Sequence, residues 1–104
     1  MTGNTDTDGT DRSPEEMNLE ELRDEIRTID RELVELIAQR TYVADTIAAV
    51  KDERGLPTTD ESQEEQVMER AGKNAERFDV DANLVKAIFR LLIELNKVHQ
   101  RENR

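Results

Sequence analysis

Arg23, Arg40, Lys51, Asn96 and Gln100 are the residues of this 104-residue chain whose types and positions point to chemistry. Arg40 interrupts the otherwise apolar packing pattern of LVELIAQRTYVADTIAAVK, and Lys51 closes it. At 100° per residue these two cations lie within about 20° of each other around a helix axis. Roughly 16 Å of rise separates them, a gap that two long side chains close by leaning into one cavity. Arg23 falls about 25 Å from Arg40 on the same helix, too far to share a small site on its own chain. In an antiparallel pair of chains, the Arg23 of a second copy approaches Arg40 and Lys51 instead. Asn96 and Gln100, one helical turn apart, end a stripe that begins apolar with Phe89, Leu92 and Ile93. Three cations, two neutral amides and apolar walls suit a small dianion.

Taken singly, each residue has a plainer explanation. Arg40 fits an ion pair buried across a dimer, and Lys51 fits the negative end of a helix dipole. Asn96 and Gln100, together with His99 beside them, fit solvated positions near a C-terminus. As a set they resist this treatment, because the chain is strongly acidic and an inward cluster of cations runs against its composition. Also missing are the usual covalent tools: a Ser-His-Asp set, a Cys nucleophile, a Gly-rich phosphate loop and a metal cluster. What remains is charge, hydrogen bonding and shape. Such a site either binds a dianion or catalyses a reaction that needs no more than these.

The bulk numbers narrow the class. Lys plus Arg total 15 against 25 for Asp plus Glu, a formal net charge of -10. Nucleic acid and anionic membrane are therefore poor partners. Arg outnumbers Lys by 11 to 4, and acids dominate the exposed positions. This composition reads as an adaptation to high salt, where screening relieves self-repulsion, with an ordinary acidic cytosolic protein as the alternative. Without cysteine there are neither disulfides nor thiolate metal ligands, and the lone His99 makes no zinc site. No run of about 20 apolar residues is present and no signal peptide opens the chain. A soluble cytoplasmic protein of one domain is expected.

Long helices must position the polar set. Residues 1–13, rich in Thr, Asp and Gly, have little to bury and are expected to form a disordered acidic tail ahead of a domain at 14–104. Ser13, Pro14 and Glu16 then read as a helix start with a capping box. From Leu19 the apolar positions fall at 19, 22, 26, 29, 33 and 36, then Arg40, then 43, 47 and 50, which is a heptad seam. The pattern predicts a helix of roughly 40 residues, about 60 Å long. A compact chain of this size has a radius of gyration of about 13 Å, so such a helix overhangs it and a homodimer is expected. A second helix is predicted from about Thr59 to Asn74. A third, capped by Asp81, runs to about Glu102 with Leu84, Ala87, Ile88, Leu91, Leu95 and Val98 on one face. The fold class is all-α, with three helices per chain.

These segments together resemble the all-helical (AroQ-type) chorismate mutases over roughly Met17 to Arg101. The likeness rests on LRDEIRTIDRELVELIAQR with Lys51 eleven residues after Arg40, on LPTTDESQEE, and on AIFRLLIELNKVHQ. Membership would imply an intertwined homodimer with two active sites and a cofactor-free Claisen rearrangement of chorismate to prephenate. Arg23 matches the arginine supplied across the interface, and Arg40 the own-chain arginine; together they would bind the two carboxylates. Lys51 matches the lysine on the ether oxygen and a carboxylate, and Gln100 the donor on the far side of that oxygen. Asp60 and Glu64 match the positions that hold the substrate hydroxyl. Asn96 stands where a serine is often found near the ring carboxylate, and Gln63 where relatives often carry arginine. Two alternatives share these features: an isochorismate-pyruvate lyase of the same fold, and a non-catalytic dimeric module that binds a dianionic metabolite.

Overall fold

The computed structural model of the protein describes residues 13–58 and 60–102. Among these the regular structure is helical: a 3-10 turn at Pro14–Glu16, then α1 (Leu19–Glu53), α2 (Glu61–Arg77) and α3 (Ala82–Glu102). The expected all-α chain of three helices is what is found. The acidic tail lies outside the described residues, apart from Ser13. The chain divides within α1 into two compact units, which meet at Leu36 and Ile37.

In the first unit the start of α1 differs from the expected one. Ser13 makes no side-chain cap bond, and Met17 is extended at φ -95° and ψ 148°. The capping box is formed instead by Asn18 and Glu21. Asn18 Oδ1 accepts from the Glu21 N–H at 2.9 Å, and Glu21 Oε1 accepts from the Asn18 N–H at 2.9 Å. Two otherwise orphaned donors are satisfied at Asn18, whereas the Ser13 side chain satisfies none. The helix is accordingly 35 residues long, shorter than the pattern suggests. Leu19, Ile26, Ile29 and Leu33 remain exposed along it.

The second unit holds the rest of α1 with α2 and α3. Gly55, at φ 70°, ends α1 in a Schellman turn. The Leu56 N–H bonds the Lys51 carbonyl at 2.8 Å and the Gly55 N–H bonds that of Asp52 at 3.1 Å. At the next helix start, the Asp60 carboxylate accepts from the N–H groups of Ser62 and Gln63, so α2 begins after Asp60. It also runs past Asn74, since neither Gly nor Pro stops it there. Asp79 at φ 62° closes it with a second Schellman turn, the Val80 N–H bonding the Ala75 carbonyl at 2.9 Å. Asp81 caps α3 as expected, accepting from the Leu84 N–H at 2.9 Å.

Small residues let α2 and α3 approach each other. Ala71, Gly72 and Ala75 are buried on α2, and Lys86 of α3 lies across Gly72, where a Cβ would come within 2.6 Å of its Cε. The two stripes of α3 behave differently. Phe89, Leu92, Ile93, Asn96 and Gln100 are half-buried or buried, while Leu84, Ile88, Leu91 and Leu95 are exposed. His99, expected in solvent, is half-buried with Nδ1 3.0 Å from an Asp45 carboxylate oxygen on α1. No helix among the described residues is long and apolar enough to cross a membrane.

Candidate functional site

Within the second unit, α1, α2 and α3 line an open cavity of about 480 Å³, within the ordinary range for a small-molecule site. Helix α1 contributes Arg40 and Lys51 with the apolar Val43, Ala44, Ile47 and Ala48 between them. The three-four spacing explains this: both cations and the small apolar residues occupy one stripe of the helix. Helix α2 adds Gln63, Glu64, Val67 and Arg70, and α3 adds Ile93, Asn96, Lys97 and Gln100. Four cations thus face one carboxylate in a chain whose net charge is -10. A dianion entering here meets a field opposite in sign to that of the protein as a whole.

Arg40 is the most constrained of the cations. Its Nη1 donates to Asn96 Oδ1 at 2.8 Å, and its guanidinium carbon lies 5.8 Å from the centre of the Phe89 ring. Asn96 is 7% exposed and its Nδ2 donates to Thr41 Oγ1 at 3.1 Å. Glu64 receives Lys97 at 3.0 Å in a partly exposed ion pair, which restrains the carboxylate more than it stabilises the fold.

Of the seven candidate residues, five come together here: Arg40, Lys51, Glu64, Asn96 and Gln100. Asp60 is not among the lining residues; its Oδ1 is engaged at the N-terminus of α2. Arg23 belongs to the first unit and is exposed. Two lining cations escaped the sequence reading. Arg70 follows Gln63 by seven residues, two turns along the same face of α2, and that spacing was the available signal. Lys97 offered no such signal, because it lies about 100° around α3 from Asn96, off the polar stripe.

An all-helical fold with a cationic, amide-bearing cavity defines a candidate small-anion site. Comparison with known proteins gives this class its family. The type II chorismate mutase model matches residues 22–101. The chorismate mutase of Methanocaldococcus jannaschii is 36% identical over 84 residues, covering 81% of this chain and 85% of that protein. The T-protein of Haemophilus influenzae is 32% identical over 72 residues, 69% of this chain but 19% of its own length. A bifunctional chorismate mutase/prephenate dehydratase of Buchnera aphidicola subsp. Schizaphis graminum is 27% identical over 89 residues, 86% of this chain and 23% of its own. The chain belongs to the type II chorismate mutase family.

Proposed function

We propose that the protein is a chorismate mutase, converting chorismate to prephenate on the route to phenylalanine and tyrosine, without cofactor or covalent intermediate. The observation that carries this reading is the convergence of Arg40, Lys51 and Gln100 on one cavity in a chain of this family. In the rearrangement the carbon–oxygen bond breaks ahead of carbon–carbon bond formation, so negative charge gathers on the ether oxygen. Lys51 and Gln100, from α1 and α3, are the donors assigned to that oxygen; fixed donors there stabilise the transition state more than the ground state. Arg40 grips a substrate carboxylate, which favours the compact conformer whose reacting carbons are close. Glu64 accepts from the substrate hydroxyl, and Asn96 lies near the ring carboxylate. Arg70 and Lys97 supply cationic character that Gln63 does not. Asp60 acts on the hydroxyl only if its carboxylate serves substrate as well as the helix start.

The second part of the proposal is a homodimer in which each site receives Arg23 from the other copy. Exposed apolar side chains within each unit support it: Leu33 is 52% exposed in the first, and Ile47 51% and Leu91 70% in the second, and a partner surface is what such side chains commonly meet. Cytoplasmic action goes with this reading. The decisive assay is incubation of the pure protein with chorismate, following its loss and the appearance of prephenate. Binding without turnover would identify a metabolite-binding module, and pyruvate released from isochorismate a lyase. Sedimentation should give about twice 12.0 kDa; an active species of single-chain mass would defeat the shared site.

A further inference from the structure

A long guanidinium is useful in a binding site only when something aims it. Arg40 is aimed by the Phe89 ring and by Asn96 Oδ1. Asn96 is buried, so the sense in which its amide sits matters. Turned end for end, it would set N–H against N–H at the guanidinium and leave donors without acceptors. The two ends of an amide have nearly the same shape, so packing alone does not choose between them. A polar neighbour has to choose.

Thr41 is that neighbour. Its hydroxyl donates to the Ile37 carbonyl at 2.8 Å, which uses its single proton and leaves Oγ1 as an acceptor. Asn96 Nδ2 donates to this oxygen at 3.1 Å. The three bonds therefore run in one direction, from Arg40 through Asn96 and Thr41 to a backbone carbonyl of α1. We propose that Thr41 is a positioning residue for Arg40, acting through Asn96 by fixing which end of the amide meets the guanidinium. The same choice keeps the Asn96 carbonyl turned to a cation. Thr41 does not itself line the cavity. The consequence for catalysis rests on the chorismate mutase reading; the positioning of Arg40 does not.

Two substitutions separate this role from a structural one. Thr41→Val keeps the shape and removes the acceptor, whereas Thr41→Ser keeps the acceptor and removes a methyl. In the full-length protein with chorismate, Thr41→Val should raise KM about tenfold with a smaller change in kcat, since a carboxylate grip acts in ground and transition states alike. Thr41→Ser should stay within about twofold of wild type. A purely structural lesion would instead lower the folded fraction, reducing apparent kcat at constant KM. An unchanged KM in the valine variant, or equal impairment in the serine variant, overturns the proposal. A second measurement needs no turnover: nitrogen NMR of the Arg40 guanidinium without substrate. Rotation about Cζ–Nε should be hindered in wild type and in Thr41→Ser, and fast in Thr41→Val. Equal rotation in all three overturns the proposal, as does free rotation in wild type should the valine variant not fold. If wild type leaves chorismate unchanged, the functional reading fails while the guanidinium measurement still decides the role of Thr41.

Discussion

Helix α1 carries two arginines in opposite circumstances. Arg40 is half-buried, gives a hydrogen bond to Asn96 and lies against Phe89. Arg23 is exposed and its side chain has no hydrogen bond or ion pair among the described residues. Fixing an arginine side chain costs about 2 kcal/mol of rotamer freedom. For Arg40 its own chain meets that cost before any ligand arrives; for Arg23 it remains outstanding. The contrast teaches that one fold can prepare part of a site and leave the rest to assembly, which is how the proposed dimer would use them.

The largest test of the contrast is to remove each cation. Arg40→Ala and Lys51→Ala should each lower kcat/KM about 10³-fold, the upper range for loss of a fixed charge partner. Arg23→Ala should fall comparably. An active Arg23→Ala protein would make that arginine a surface residue and end the comparison. Mixing follows in size: inactive Arg23→Ala and Lys51→Ala chains, exchanged together, should recover about a quarter of wild-type activity. Half the dimers are then mixed, with one intact site in two. No recovery despite demonstrated exchange would place both residues in the same chain's site.

A neutral donor should respond differently from either arginine. Gln100→Ala should cost on the order of 3 kcal/mol of barrier, about 10²-fold in kcat. Because an amide does not titrate, wild-type kcat should be flat from mildly acidic to mildly basic pH. Gln100→Glu donates only when protonated, so its activity should rise as pH falls; a pH-independent variant would make Gln100 a bystander. The smallest effect belongs to a control at Asp79, which does not line the cavity. Asp79 holds a left-handed conformation that glycine adopts without steric cost. Asp79→Gly should raise stability by about 0.5 kcal/mol in denaturant unfolding and leave kcat/KM alone.

Periodicity made the helices legible, together with the face on which Arg40, Lys51, Asn96 and Gln100 would meet, because spacing along a helix is angle around it. It was weaker at ends. Ser13 with Glu16 reads as the helix start, yet Asn18 and Glu21 form the capping box, because their side chains reach an N–H and that of Ser13 does not. Interhelical pairs were less legible still. Arg40 with Asn96, Asp45 with His99 and Glu64 with Lys97 join residues far apart in the chain, and no one-dimensional spacing encodes which of several polar neighbours will be chosen. Asp60 illustrates the remaining ambiguity. A carboxylate at a helix start is equally a cap and a ligand, and here its Oδ1 is engaged as a cap.

Ala71 and Ala75 are the only buried apolar side chains among the described residues. If a second copy covers the exposed seam, folding and association become one equilibrium, governed by mass action. The amount of protein present then acts as a variable of its own stability. Each tenfold dilution withdraws about 1.4 kcal/mol from the dimer. The melting temperature should drift downward with it, and specific activity should fall once dissociation sets in. A cell that makes little of this protein would hold it nearer that edge than one that makes much.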